Sequence, residues 1–274
     1  MRSKTRPAAI AAGLLLALTG LHPGSAHAAG GVHWAPASTA SIHPGVTVTM
    51  GGVQCQTGFV LTDGKHVYLT TTGGCASVWP GDDVDGCGDS RDAAGVDPPK
   101  TEATIEGARY KGWLVYHSFA RMKLDGEARD NRCHYNNMAL VQVDPRDVKR
   151  TNPSIPGVGG PVRVAKSDPG TASSLTAFLP AATMAHALDT TSGGWAHTAM
   201  VDGHVAPNNA GAPVLNANGA ALGMVTVVPP QGTVGETTVS DLQRELKALR
   251  QVSRFSDVHL AQGTKPYAAP NLPF

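Results

Sequence analysis

The chain has 274 residues and carries 22 Lys+Arg against 21 Asp+Glu, a formal net charge of +1. Its basic residues are scattered apart from the short Arg146-Asp147-Val148-Lys149-Arg150 stretch, which reads as a solvated loop, so no basic face for nucleic acid is implied. After residue 28 no apolar run approaches the ~20 residues that a membrane-spanning helix requires.

The first 28 residues have the pattern of a secretory signal. Arg2, Lys4 and Arg6 make a basic start, Ala8 to Leu21 is almost wholly apolar, and Ala26-His27-Ala28 suits cleavage after Ala28. The expected product is secreted to the extracellular space and has no membrane association once the signal is removed. Losing the three basic residues leaves a slight excess of acid. Residues 29–41 then form an N-terminal segment.

The whole chain is rich in Gly and Pro, with 32 and 20 respectively, and from residue 42 on apolar runs are short and bounded by turn residues. That is the signature of many short strands. Candidates are Val46 to Met50, Thr57 to Leu61, His66 to Thr70, Gly112 to His117, Met138 to Val143, Val162 to Ala165, Leu175 to Phe178, Thr198 to Val201, Pro213 to Leu215 and Ala221 to Val228. Thr62-Asp63-Gly64-Lys65 reads as a hairpin turn between Leu61 and Val67. A Pro/Gly-rich stretch from Asn152 to Pro161 reads as a connection between two halves, residues 42–150 and 162–267, with 151–161 as the linker.

Four cysteines in an exported chain imply two disulfides, with three pairings open. No two of them have the spacing of a metal knuckle, and no metal is expected. One segment, about residues 240–251, has helical period. Ser240 with Gln243 suits a capping box, Asp241 favours the helix start, Leu242, Leu246 and Leu249 share a face, and Lys247 and Arg250 suit the C-terminal end. Asp257 to Leu260 is one more candidate strand, and residues 268–274 form a Pro-rich tail.

Several stretches, in the right order, resemble the exported trypsin/chymotrypsin-like serine proteases of actinobacteria. Thr71-Thr72-Gly73-Gly74-Cys75 stands where that family has Thr-Ala-Ala-His-Cys. Asn136-Asn137-Met138-Ala139-Leu140 stands for Asn-Asp-Phe-Ala-Leu, and Asn208-Asn209-Ala210-Gly211-Ala212-Pro213 for Gly-Asp-Ser-Gly-Gly-Pro. Ile42 to Val46 resembles the family's mature start, Cys55 to Gly64 the strand and turn before the histidine, Leu215 to Val225 the hairpin after the nucleophile, and Val258 to Tyr267 the last strand. The resemblance implies an all-β fold of two six-stranded antiparallel β-barrels with one C-terminal α-helix. It also implies a Cys55–Cys75 disulfide, which leaves Cys87 with Cys133. Loop-entropy arguments give these bridges about 3 and 4 kcal/mol.

The positions matching base, acid and nucleophile are Gly74, Asn137 and Ala210, in the chain order His, Asp, Ser of that family. Glycine has no base and alanine no oxygen, so no catalytic residue is expected among them. The oxyanion-hole-like donors implied by the resemblance are the backbone N–H groups of Asn208 and Ala210. Asn209 stands where the family has an acid that forms an ion pair. Among His66, His117, His134 and His204, with Asp144 and Asp202, only His134 competes as a replacement, against its reading as a surface histidine beside Cys133. Trp79, Trp113, Trp195, Tyr116 and Phe119 suit core packing better than carbohydrate stacking.

The expected function is that of a non-catalytic protease homologue, a monomer without cofactor, with a peptide or protein ligand in the cleft between barrels. Two other readings stay open: an active serine endopeptidase or hydrolase using a nonstandard site, and a structural or surface-binding module.

Overall fold

A computed structural model describes residues 31–76, 85–87, 101–166, 174–179, 183–201, 207–226 and 236–270. The expected signal segment, Trp79, Asp202 and His204 lie outside these residues. The first two strands, β1 (Thr47–Met50) and β2 (Val53–Gln56), form a hairpin in which Met50 pairs with Val53. Gly51 and Gly52 between them have φ of 54° and 88°. Two consecutive positive φ values make the two-residue turn whose twist matches paired strands, and glycine adopts them without a Cβ clash.

The next hairpin joins β3 (Val60–Thr62) to β4 (Val67–Thr71). Asp63 holds its turn: Oδ1 accepts the N–H groups of Lys65 and His66 at 2.8 and 2.7 Å, and Oδ2 accepts the Tyr68 hydroxyl at 3.0 Å. Such local acceptance is why Asp favours turns. Then come β5 (Glu102–Ile105), β6 (Gly112–His117) and β7 (Ala139–Gln142). Between β6 and β7 lie two short helices, α1 (Ser118–Leu124) and α2 (Asp130–Tyr135), absent from the sequence reading. The Cys87–Cys133 disulfide reaches α2, and Cys133 packs with Phe119 and Met122.

The second half contains β8 (Ser174–Leu179), β9 (Thr183–Gly193), β10 (Ala196–Val201), β11 (Pro213–Asn216), β12 (Ala221–Thr226) and β13 (Glu236–Ser240). After them run α3 (Leu242–Leu249) and β14 (His259–Leu260). The expected Val162 to Ala165 strand is reduced to a single bridge, Val164 with Ala221.

The strands form a closed barrel in the order β10-β13-β12-β11-β8-β9 and an eight-stranded sheet in the order β14-β3-β4-β7-β6-β5-β1-β2. The first unit therefore has more strands than expected, one of which returns from the end of the chain, where Leu260 pairs with Leu61. Each sheet encloses its own core, with Val48, Val60, Leu69 and Val141 in the first and Leu175, Val214, Leu222 and Val239 in the second. A third cluster bridges them, joining Phe59, Tyr116, Met138 and Leu140 to Leu215, Met224, Leu242, Leu246 and Leu249. Truncating any of these buried leucines costs about 2–5 kcal/mol, so α3 is held mainly by this shared core. Asp241 caps α3, its side chain accepting the Arg244 N–H at 2.9 Å. The cap is thus one residue later than the Ser240–Gln243 box. No described helix is long and apolar enough to cross a membrane.

Candidate functional site

Gly74 lies in a 3-10 turn, Gly73–Ala76, that begins just beyond β4. The next residue, Cys75, is bonded to Cys55 of β2, so the turn is tied back onto the neighbouring hairpin. A side chain on Gly74 would have open space: a Cβ there meets nothing within 4 Å.

Asn137 reaches this turn from the segment before β7. That segment is anchored by Ser118, whose buried hydroxyl donates to Asn136 O at 2.6 Å and accepts the Met138 N–H at 2.9 Å. The backbone on both sides of Asn137 is thereby fixed. The Gly74 N–H donates to Asn137 Oδ1 at 3.2 Å, and the Asn137 N–H donates to Glu245 Oε1 at 3.1 Å. A hydrogen-bonded path thus runs from the Gly74 turn through Asn137 to α3.

Ala210 completes the grouping from the second half. It is half-buried and packs against the cluster that contains Cys55, Cys75 and Ala76. Its carbonyl accepts the Gln56 N–H at 2.8 Å, and the Gly211 N–H donates to Val225 O at 2.8 Å. Gly211 has φ of 92°, and a Cβ there would lie 2.0 Å from Gln56 O. Only glycine lets this loop sit so close to β2. Gly74 and Ala210 therefore flank one disulfide, and Asn137 is hydrogen-bonded to Gly74.

The polar groups that Gly74, Asn137 and Ala210 themselves offer are an amide and backbone N–H and C=O groups. The nearby hydroxyls are buried and engaged: Thr71 Oγ1 donates to Gln56 O at 2.8 Å, and Thr72 Oγ1 lies 2.9 Å from Cys75 Sγ. Pro207–Asn209 is wound as a 3-10 turn, with Asn208 exposed and Asn209 buried. In such a turn N–H groups bond to carbonyls three residues back. On that spacing the Ala210 N–H faces the carbonyl of Pro207 and not a substrate oxygen, whereas the Asn208 N–H is not one of the turn's donors.

Two buried titratable side chains stand behind the site, and the sequence reading gave neither this place. Glu245 is fully buried on α3. Its burial, and secondarily the charge of Asp241, raise its carboxyl well above the usual range. It falls in the apolar stripe with Leu242, Leu246 and Leu249, and a carboxylate in such a stripe is a sequence signal for a special environment. His117 is 3% exposed, lies 5.7 Å from the Phe119 ring, and has no hydrogen-bond partner for either ring nitrogen among the described residues. Burial, with a smaller contribution from Lys123, lowers its pKa to about 4.

These two groups set opposite pH slopes. The folded state favours neutral His117, so its contribution is complete above pH 6.5 and is lost as pH falls toward 4. The loss amounts to about 3 kcal/mol. Glu245 favours the protonated form, so its contribution is complete below pH 4.5 and is lost as pH rises. In urea titrations at a series of pH values, wild type is expected to lose stability relative to His117→Phe on acidification, and relative to Glu245→Gln on alkalinisation. A wild-type profile parallel to both variants would refute the assignment.

The other sequence candidates lie elsewhere. His134 Nδ1 sits 2.6 Å from Asp85 Oδ2 and 3.6 Å from Cys87 Sγ, on the surface. Donor atoms of Cys87, Cys133 and His134 lie within 4.8 Å of one another, but the two sulfurs are bonded to each other and are not thiolate ligands. His66 pairs with Asp63 at 2.9 Å and Asp144 with Arg146 at 2.8 Å, both in turns. Tyr116 and Phe119 are core residues, whereas Trp113 is exposed on β6.

No protein-family model matches this sequence, and no curated protein sequence matches it significantly. Solved structures do match. Thermobifida fusca protease A is similar with a TM-score of 0.52 at 14% identity, over 82% of this chain and 100% of that one. A glutamic acid specific serine protease that utilizes a histidine triad in substrate binding gives 0.54 at 13% identity, over 80% and 100%. Cellulomonas bogoriensis chymotrypsin gives 0.50 at 15% identity, over 81% and 98%. The fold is therefore the two-barrel fold of chymotrypsin-like serine proteases.

Proposed function

We propose that this chain is a secreted protein of chymotrypsin-like fold that performs no acyl transfer and binds a peptide or protein segment in the cleft between its two β-units. One observation supports the reading: Gly74 bonds Asn137, Ala210 bonds Gln56 next to the bridged Cys55, and none of the three offers a nucleophile or a base. In a serine protease these roles belong to a hydroxyl, an imidazole and a carboxylate. Here the Asn137 amide accepts from the backbone of Gly74, and the buried His117 has no hydrogen-bond partner among the described residues. Export is supported by the basic start, apolar run and Ala26-His27-Ala28 of the N-terminal segment, together with two disulfides. The protein acts as a monomer and without a cofactor.

The purified mature chain is expected to hydrolyse no member of a fluorogenic peptide library and to gain no mass from a serine-reactive fluorophosphonate. Stoichiometric labelling of one serine, or hydrolysis abolished by substitution of Asn137 or Ala210, would overturn the reading. Binding of a peptide, read by titration calorimetry, should weaken when a bulky side chain is placed at Gly74.

A further inference from the structure

Away from the Gly74 grouping, three separate segments enclose a cavity of about 400 Å³. Arg129, Asn131 and Arg132 come from α2 and the residue before it, Gly194 and Trp195 from the turn between β9 and β10, and Arg244, Lys247, Ala248 and Gln251 from α3 and its end. A cavity of this size suits a small ligand or one group of a larger one. Its described lining contains four cations and no carboxylate.

The placement is organised by the fold. Asn131 Oδ1 accepts the Trp195 N–H at 2.8 Å, which fixes the turn against α2. The Arg132 guanidinium lies over the Trp195 ring at 5.6 Å, with its side chain 22% exposed. Stacking of this kind holds the planar fork of arginine in place and reduces the ordering cost of binding an anion. Arg244 and Lys247 are three residues apart on α3, so their like charges share a helix face and repel.

The compensating acids stand behind the cavity and are fewer than the cations. Glu127, held ionised with a pKa of about 2 chiefly by Arg129, bonds Arg129 at 2.6 Å and Arg132 at 2.8 Å. Asp241 is buried, caps α3 and lies 3.4 Å from His197, leaving Arg244 at 3.9 Å from its Oδ2. Glu245 is buried on α3, accepts the Asn137 N–H and makes no ion pair with a lining cation among the described residues. Among the described residues, the carboxylates that pair with lining cations, Glu127 and Asp241, are two fewer than the four cations.

We propose that this cavity is a binding site for a phosphate monoester or inorganic phosphate. A phosphate group carries about −1.5 to −2 charges at pH 7, which matches the excess. Its three oxygens can accept from an arginine fork and a lysine together. Gly74, Asn137 and Ala210 are not among its lining residues, so the proposal does not depend on the absence of acyl transfer.

The test is titration calorimetry of the purified chain with inorganic phosphate, with glycerol phosphate, and with succinate as a dicarboxylate control. One saturable site with roughly millimolar or tighter affinity, weakened by added salt, is the expected result. Arg244→Glu and Lys247→Glu place acids at exposed helix positions and should each weaken phosphate about tenfold or more, with unchanged melting curves. Tighter binding of glycerol phosphate than of free phosphate makes the ligand a phosphorylated molecule, and the reverse makes it the free ion. Absence of saturable binding, affinity untouched by both variants, or tighter binding of succinate would overturn the proposal.

Discussion

A chain carrying Gly74→His, Asn137→Asp and Ala210→Ser together is expected to be labelled by a fluorophosphonate at its new serine, whereas each single variant stays unlabelled. The single variants fail because the three groups act as a unit: removing serine or histidine alone costs about 10⁶-fold, nearly what removing all three costs. Adding one member back therefore restores almost nothing. The triple variant can succeed because the scaffold leaves room. A Cβ on Gly74 meets nothing within 4 Å, Asn137 Oδ1 already faces the Gly74 N–H, and Ala210 is only half-buried. The rate should fall short of an intact protease by about 10²–10³-fold, the share that oxyanion donors supply, because Pro207–Asn209 is wound as a 3-10 turn. Intact mass before and after incubation reads the result. A folded triple variant that never gains the label would show that these three positions do not form a dormant triad.

Gly211→Ala is expected to cost more than about 4 kcal/mol, a loss found only when a substitution forces the backbone apart. Its φ of 92° disfavours any side chain, and its Cβ would lie 2.0 Å from Gln56 O and 2.8 Å from Thr71 Oγ1. Gln56 follows the bridged Cys55 in β2, and Thr71 of β4 donates its hydroxyl to that same Gln56 oxygen, so neither atom can move without disturbing the first core. Gly126→Ala separates the two causes. Gly126 has φ of 63° and nothing within 4 Å of its Cβ, so only the backbone preference, about 1 kcal/mol, is lost there. Urea unfolding of both variants gives the comparison. Equal losses at the two glycines would refute the close approach of the Ala210 loop to β2.

Features with local causes were legible in the sequence. The turn at Asp63, the helix around Leu242, Leu246 and Leu249, and the strand character of most apolar runs follow from residues a few positions apart. The two-barrel fold was reached by resemblance and not by periodicity, since short strands do not announce their partners. The helices α1 and α2 escaped because each spans at most two turns and draws its stability from Phe119, Met122 and the Cys87–Cys133 bridge. Of the candidate site, the three substituted positions could be read from motifs. Glu245 could have been found as a carboxylate in an apolar stripe. The phosphate cavity could not, because Arg132, Trp195 and Lys247 come from three distant segments that only the tertiary fold assembles.

The pairing of Leu260 with Leu61 joins two residues 199 positions apart that must meet to finish the first sheet. Contacts of such long range are formed late, because the loop between them is closed at an entropic cost before the contact rewards it. A chain made from its N-terminus therefore cannot complete its first sheet until His259 and Leu260 have emerged. Until then the β3 edge is an open template for other strands. β14 acts as a latch, coupling the completion of the first sheet to the arrival of a strand about 200 residues further along the chain.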